Sequence, residues 1–170
     1  MSIKAIVYTS NTGFTKRYAE MLGEKLSLSV YSIDEALKRL SKGDNIIYLG
    51  WICANNVKGF LRAKKHFSVC AVCGVGLCDT GTLTAEVRKA TNIPEQIPLF
   101  TLQGGFNRNK LKGISKFLIS MLIKGLSSQA QRTEQDNRML ELLSKDAGYV
   151  SEENLRDVLG WYLKIGSKKS

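Results

Sequence analysis

Five short apolar runs recur between Ile3 and Gly105, and each of the first four is followed by a polar loop and a segment with helical periodicity. The runs are nearly continuous in apolar and β-branched residues, which is typical of strands that are covered on both faces. Strands that alternate with helices form a parallel sheet, and right-handed connections place helices on both of its faces. The sequence therefore predicts a doubly wound α/β fold, with strands at Ile3–Tyr8, Leu28–Ile33, Asn45–Trp51, Phe67–Gly76 and Ile97–Gly105.

The length and composition of the chain predict one globular domain. Its 170 residues are 44% hydrophobic and 24% charged, which is ordinary for a globular protein with a substantial core. No apolar run of about 18 residues is present and a predicted strand begins almost at Met1, so we expect neither a membrane span nor a secretory leader. A cytoplasmic location is therefore expected, in which the four cysteines remain reduced.

The regular alternation ends after the fifth predicted strand. Residues 114–126 have a pattern that is apolar around most of a helix, whereas residues 127–150 are polar and only partly helical in pattern. A final helix is predicted with Ser151 as its N-cap and two acids in its first turn, and its inner face consists of Leu155, Val158, Leu159 and Tyr162. We expect a single domain with an extra segment at about 106–150.

A polar loop follows the first predicted strand, and it carries hydroxyl and amide side chains but no charge before Lys16. Backbone N–H groups at the start of a helix are free, and the helix dipole and neutral hydroxyl donors add to the attraction for an anion. Gly13 lets the backbone close around such an anion. The loop lacks both the G-x-G-x-x-G and the G-K-[ST] patterns of nucleotide-binding loops. We interpret it as a site for one terminal monophosphate, with simple helix capping as the alternative.

The stretch TSNTGFT, which follows KAIVY, resembles the phosphate loop of flavodoxins, whose pattern is T/S-x-(T/N)-T-G-x-T at the end of the first strand. The resemblance implies a flavodoxin-like, five-stranded parallel sheet of strand order 2-1-3-4-5 with helices on both faces. It also implies FMN as the cofactor, with the ribityl phosphate bound by Thr9, Ser10, Asn11, Thr12, Gly13, Phe14 and Thr15.

Two further loops correspond to those that enclose the flavin ring in flavodoxins. In the first, Gly50–Gly59, Trp51 is the candidate to stack on the ring, and the alternative is an ordinary half-buried tryptophan at a strand end. The resemblance implies that a backbone carbonyl in this loop accepts a hydrogen bond from the reduced flavin, and the candidate residues are Ile52, Cys53, Ala54 and Asn55. The second loop, Cys73–Thr82, lacks the tyrosine common in flavodoxins. Its glycines either bring backbone amides to the ring edge or form a turn, and the candidate residues are Gly74, Val75 and Gly76.

The cysteine spacing does not favour an iron–sulfur cluster or another metal site. Cys70 and Cys73 lie in one predicted strand at positions that point to opposite faces, so they are not expected to share a metal with Cys53 or Cys78. We interpret the cysteines as small buried hydrophobes. His66, the only histidine, is interpreted as a solvated cap of a helix, and no nucleophile–base pair that would indicate a catalytic site is evident.

Basic residues without any acid precede and enter the apolar helix predicted after the fifth strand, namely Arg108, Lys110, Lys112, Lys116 and Lys124. This pattern is typical of an element on a membrane surface, so residues 108–126 are a candidate contact with an anionic membrane. A helix that packs over the sheet edge is the alternative. The chain is also similar here to bacterial menaquinone-dependent protoporphyrinogen oxidases and related flavodoxin-domain proteins, which have a glycine pair after the fifth strand and then a basic, apolar helix.

Two functions follow from the resemblance. The first is an FMN-binding electron carrier between protein redox partners. The second is an FMN-dependent oxidoreductase that passes electrons from a small substrate, such as a porphyrinogen, to a quinone at the inner face of the membrane. A phosphoacceptor receiver domain is excluded because Thr9-Ser10 and Gly50-Trp51 stand where that class requires acidic residues. The net charge of +10 attracts anionic partners, but no nucleic-acid-binding motif is present.

Overall fold

The computed structural model of the chain describes residues 2–106 and 147–167, together with the short stretches 120–121, 123–128, 132–134, 136–137 and 140–141. The predictions for the basic helix at 114–126 and for the polar stretch at 127–150 therefore lie in large part outside the described residues. The basic residues from Arg108 to Lys116 are also outside them.

A parallel sheet of five strands forms the centre of the protein, as the alternating pattern predicts. The five parallel strands are β1 Ala5–Thr9, β2 Ser29–Ser32, β3 Asn45–Cys53, β5 Ser68–Gly76 and β6 Leu99–Gln103, and a sixth, short strand is β4 Asn56–Val57. They are arranged in the order β2-β1-β3-β5-β6, and the short strand β4 pairs with the end of β3 in the antiparallel direction. Counted without β4, this is the order 2-1-3-4-5.

Two layers of helices cover the faces of the sheet. The helices are α1 Phe14–Leu26, α2 Ile33–Arg39, α3 Phe60–His66, α4 Thr84–Thr91 and α5 Arg156–Ser167. Tyr18 of α1 and Val158 of α5 belong to one apolar cluster, which we call the first cluster. Ala36 of α2, Phe60 of α3 and Val87 of α4 belong to the second cluster. This arrangement confirms an α/β fold in which helices lie on both faces of a parallel sheet.

Helix α2 begins with a capping box. Ser32 Oγ accepts a hydrogen bond from the Glu35 N–H (3.3 Å), and the Glu35 carboxylate accepts one from the Ser32 N–H (2.9 Å). Hydrogen bonds from the Ser32 hydroxyl and N–H stabilise the charged carboxylate and so lower the pKa of Glu35. These reciprocal bonds satisfy two donors at the start of the helix.

The predicted N-cap of the last helix is wrong. Helix α5 begins at Arg156, after a turn of 3-10 helix at Glu153–Leu155, and no side chain caps that turn. The Asn154 side chain connects the chain before α5 to α1, since its amide donates a hydrogen bond to the Tyr18 hydroxyl (2.6 Å). The predicted inner face is confirmed, since all four of its residues pack in the first cluster: Leu155, Val158, Leu159 and Tyr162.

None of the helices among the described residues has the length and apolar character needed to span a membrane. The longest of them, α1, has 13 residues, whereas a span requires roughly 20.

The variant Gly23→Ala is expected to destabilise the protein, although alanine favours helices. Gly23 lies inside α1 and faces β2, and a Cβ at this position would lie 2.3 Å from Val30 Cγ2 and 3.0 Å from Leu28 O. Val30 is β-branched and has little rotamer freedom. We therefore expect the free energy of unfolding, measured by urea denaturation, to fall by about 1–3 kcal/mol.

The variant Gly160→Ala is the matched control. Gly160 also lies inside a helix, α5, but a Cβ at this position would meet no atom within 4 Å. Helix propensity then dominates, and the free energy of unfolding is expected to rise by up to about 1 kcal/mol. A rise for both variants would contradict the close packing of α1 against β2.

Candidate functional site

The loops after β1, β3, β5 and β6 meet at one edge of the sheet. Their strands are parallel neighbours, with Thr9 opposite Gly50 and Gly50 opposite Gly74, so their carboxyl ends lie side by side. In open parallel sheets this edge is where ligands bind. The residues predicted to bind a cofactor lie at this edge or in the strands that end there.

The first loop leads directly from β1 to α1. Gly13 precedes the helix with φ 100°, a left-handed conformation that favours glycine. Its N–H donates to Ser10 Oγ (3.2 Å). In the part of the chain that the structure describes, the N–H groups of Phe14, Thr15 and Lys16 have no hydrogen-bond acceptor. No acid lies in the first turn, so the partial positive charge at the helix start is not offset.

This geometry suits an anion at the start of α1. A Cβ on Gly13 would meet no atom within 4 Å, so the space beside the loop is open, and the glycine is required by its φ rather than by crowding. Ser10 Oγ accepts from Gly13 and keeps its own hydrogen for donation. Asn11 is exposed and Thr12 half-buried, whereas the Thr15 side chain is buried.

The hydroxyl of Thr9 faces Tyr48, a residue that sequence reasoning missed. The Tyr48 hydroxyl lies 2.8 Å from Thr9 Oγ1 and 2.8 Å from Lys58 O. Burial raises the pKa of Tyr48 to about 12, although the hydrogen bond with Thr9 opposes the shift. A Cβ on Gly59 would lie 2.1 Å from this hydroxyl oxygen, so glycine is required there.

The loop predicted after the third strand is a β-hairpin. Strand β3 continues to Cys53, two residues beyond its predicted end, and Ala54 and Asn55 form the turn into β4, with φ of 48° and 59°. Positive φ at both central residues is the pattern of a type I′ turn, which usually contains glycine. The absence of glycine explains why the sequence did not reveal the hairpin. Thr91 of α4 supports it, since its hydroxyl accepts from the Val57 N–H (2.9 Å) and donates to Asn55 O (3.3 Å).

Trp51 lies inside β3, opposite Val75 of β5. It is half-buried and belongs to neither of the two apolar clusters formed by the described residues. The next residue, Ile52, points to the other face of the strand and packs against the second cluster. The indole at this edge is therefore available to a planar ligand.

The glycines predicted near the flavin ring lie within β5 and not in a turn. Gly74 and Val75 are buried strand residues, and Gly76 is the last residue of the strand. A Cβ on Gly74 would lie 2.9 Å from Ile52 Cδ1, and one on Gly76 would lie 3.3 Å from it. The alternative in which these glycines form a turn is therefore wrong, because both lie within β5.

The loop after β5 is tied to β6 by hydrogen bonds. The Gln103 N–H donates to Thr80 Oγ1 (2.9 Å), and Gln103 Nε2 donates to Asp79 Oδ1 (3.1 Å). The loop ends at Leu83, which is exposed and has φ 54°. It contains no aromatic residue, so it provides no tyrosine to cover a planar ligand.

A small antiparallel ribbon joins the two ends of the extra segment at the same edge. Its strands are β7 Gly105–Phe106 and β8 Ala147–Gly148. Next to it, the Tyr18 hydroxyl donates to Gln103 O (2.5 Å) and accepts from Asn154 Nδ2 (2.6 Å). Sequence reasoning missed this cluster, because nothing in the local pattern links residues so far apart in the chain.

Phe14 attaches the start of α1 to this ribbon. A Cβ on Gly148 would lie 2.8 Å from Phe14 Cε1, and one on Gly104 would lie 3.5 Å from Phe14 Cβ. The Phe14 side chain therefore packs against the ribbon, and its backbone N–H is the group left for a ligand.

A β-bulge overturns one prediction about the cysteines. Along β5 the pairing with β3 skips Cys70, which is an extra residue. Because a bulge shifts the alternation of side chains, Cys70 and Cys73 both enter the first cluster, and the prediction that they point to opposite faces is wrong. The prediction that the cysteines are buried is confirmed for these two and wrong for Cys53 and Cys78, which are half-buried. Burial raises the pKa of the Cys73 thiol to about 12. The described residues contain no group of three side chains that could hold a metal ion.

Cys70 and Cys73 are expected to resist thiol reagents in the folded protein. Cys53 and Cys78 are only half-buried, so dithiobisnitrobenzoate at about pH 8 should modify them first, and the two buried thiols should react at least about tenfold more slowly. The rate is followed by absorbance, and protein unfolded in denaturant gives the reaction of all four thiols as the control. Equal reaction of all four thiols in the folded protein would contradict the burial of Cys70 and Cys73.

Comparisons of the chain with protein-family models, with curated proteins and with solved structures found no match.

Proposed function

We propose that this protein binds FMN at the carboxyl edge of its sheet and carries electrons between protein redox partners, as a flavodoxin-like protein of the cytoplasm. The observation that carries the proposal is the start of α1, where N–H groups without protein acceptors follow a left-handed glycine and a hydroxyl-rich loop. The strand order and the stretch TSNTGFT are consistent with it.

The phosphate of FMN fits the first loop. N–H groups at a helix start and neutral hydroxyl donors suit a doubly charged phosphate, and the helix dipole contributes about 0.3–2 kcal/mol to its binding. The Lys16 side chain is exposed and pairs with Glu20 at 3.6 Å, so it is not proposed as a phosphate ligand. The proposed donors are therefore all uncharged. The residues that would hold the phosphate are Thr9, Ser10, Asn11, Thr12, Gly13, Phe14 and Thr15.

The flavin ring fits beside the β3–β4 hairpin. Trp51 would offer its indole face, which contributes about 0.5–1.5 kcal/mol beyond burial. The carbonyl that the flavin would donate to lies in Ile52–Asn55. Of the three residues proposed in β5, Gly76 is the one at the edge, since Gly74 and Val75 are buried in the strand.

Bound FMN would supply the redox chemistry, because the flavin ring takes up and releases electrons without an acid–base residue of the protein. The chain then has to bind and orient the cofactor and leave it accessible to partners. No catalytic side chain is proposed. The net charge of +10 would attract anionic redox partners at long range.

FMN is expected to bind with loss of its own fluorescence, because an indole in contact with the ring quenches it. The variant Trp51→Ala should bind FMN about fivefold more weakly and quench it less. Trp161→Phe is the matched control, because the only other tryptophan of the chain is half-buried and packs against the first cluster, 6.2 Å from Phe100 between ring centroids. Its FMN affinity should equal that of the wild type in a fluorescence titration.

The same titration with riboflavin, which lacks the phosphate, tests the first loop. Riboflavin should bind more weakly than FMN, and Gly13→Ala should remove most of this difference because alanine resists φ 100°. Gly43→Ala is the control, since Gly43 has φ 88° and open space beside it but lies in the turn before β3. Failure of the wild type to bind FMN at about 1 mM would contradict the proposed function.

A second candidate is an FMN-dependent oxidoreductase that passes electrons from a small substrate, such as a porphyrinogen, to a quinone at an anionic membrane. The observation that favours it is the β7–β8 ribbon, which brings both ends of the extra segment to the edge beside the first loop. The segment begins with five basic residues and no acid between 107 and 126. Such a segment would hold the edge near anionic lipid.

Turnover separates the two candidates. Protein loaded with FMN is mixed with protoporphyrinogen and with vesicles that contain anionic lipid and menaquinone, and porphyrin formation is followed by fluorescence. Porphyrin formation would support the enzyme, whereas its absence, with electron transfer from reduced protein to an acceptor protein, would support the carrier. Replacement of the five basic residues by glutamine should abolish vesicle binding and turnover by the enzyme and leave FMN affinity unchanged.

A further inference from the structure

The hydroxyl of Tyr48 lies between the two loops that the proposed function requires. It is 2.8 Å from Thr9 Oγ1, at the start of the first loop, and 2.8 Å from Lys58 O, at the end of the hairpin segment. The Tyr48 ring is fully buried in the second cluster. We call the contacts Thr9–Tyr48–Lys58 the Tyr48 bridge.

The Tyr48 hydroxyl is the donor in both contacts of the Tyr48 bridge. It carries a single hydrogen, which Thr9 Oγ1 and Lys58 O therefore share. Thr9 Oγ1 only accepts in the bridge, so the Thr9 hydroxyl keeps its own hydrogen for another acceptor. Removal of the Tyr48 hydroxyl would take the donor from both acceptors.

The bridge continues to the residue proposed to contact the ring. The Lys58 N–H donates to Trp51 O (2.9 Å). A path of hydrogen bonds through the backbone of Lys58 therefore connects Thr9 and Tyr48 with Trp51. The backbone at Gly59 packs closely against the bridge, since the atoms of Thr9 and Tyr48 leave no room for a Cβ there. This close packing limits movement of the two hydroxyls.

We propose that Tyr48 is a positioning residue that holds the first loop and the hairpin at a fixed spacing and orients the Thr9 hydroxyl. The inference rests on the proposed function and deepens it, because Tyr48 supports the hydroxyl of a residue that the resemblance implies as a phosphate ligand. A ligand with a phosphate at one loop and a ring at the other depends on this spacing. A ligand with the ring alone depends on it less.

The first measurement needs no flavin. Tyr48→Phe keeps the ring and removes the bridge, so amide hydrogen exchange should become about tenfold faster at residues 10–13 and 54–59 and stay unchanged in α5. Tyr31→Phe is the matched control, since Tyr31 lies on β2 with Arg39 over its ring at 5.7 Å and takes no part in the bridge. Unchanged exchange in Tyr48→Phe, or an equal increase throughout the protein, would overturn the inference.

The second measurement compares FMN with riboflavin. Tyr48→Phe should lower FMN affinity about fivefold, Thr9→Val should lower it at least as much, and each should lower riboflavin affinity less than about twofold. Because Tyr48 acts through the bridge, the double variant should bind FMN as tightly as Thr9→Val alone. A further loss of about fivefold in the double variant would mean that Tyr48 affects FMN by another route, and would overturn the inference.

The two measurements keep the failures distinct. If the wild type binds no FMN, the proposed function fails, and the exchange measurement still decides whether Tyr48 joins the two loops. If Tyr48→Phe does not fold, Thr9→Val breaks the bridge from its other end, and both readouts apply to it.

Discussion

Helices cover both faces of the parallel sheet, and this constraint decides where a ligand has access to polar groups. The central strand β3 is buried from Ile46 to Gly50, so its backbone groups are satisfied within the sheet and its side chains within the two clusters. At the carboxyl edge this burial ends, and the free N–H groups of α1 lie beside the ends of β1 and β3. The edge therefore combines apolar support with unpaired donors, which is what an anionic cofactor requires.

The support of this edge depends on close contacts that glycine permits. Three glycines lie so close to neighbouring atoms that a Cβ would overlap them, namely Gly50, Gly59 and Gly74. These contacts let the hairpin fold over the sheet and bring the Tyr48 hydroxyl to two loops at once. The first loop is thus supported by the packing below it as well as by the Gly13–Ser10 hydrogen bond within it.

The extra segment is attached to the same edge by buried polar groups. Tyr18 is fully buried and its hydroxyl is paired with Gln103 O and Asn154; loss of a partner would leave a buried polar group unsatisfied, which costs about 1–3 kcal/mol. The chain beside the β7–β8 ribbon is joined to the same groups, because the Tyr149 N–H donates to Gly104 O (2.6 Å) and the Asn154 amide donates to Tyr149 O (2.9 Å). A membrane or protein bound by the segment would consequently approach the edge where the cofactor is proposed to bind.

Sequence patterns predicted the five strands, their alternation with helices and the polar loop before α1, because periodicity and loop composition depend on residues close together in the chain. They failed where distant residues decide the outcome. Strand β3 extends to Cys53, beyond its predicted end, and Thr91 of the distant helix α4 supports the hairpin that follows. The bulge at Cys70 arises in the pairing of β5 with β3. Ser151 does not cap the last helix, whose first turn has no side-chain cap, and Asn154 instead binds Tyr18 of α1.

The sequence by itself thus determined the fold class and the position of the candidate phosphate loop, since both are properties of local pattern. Only the tertiary structure decided that Tyr48 reaches Thr9 and Lys58, and that Ile52 lies against the glycines of β5. The physical reason is that a hydrogen bond or a close contact depends on how separate strands pack, and local pattern carries no record of that packing.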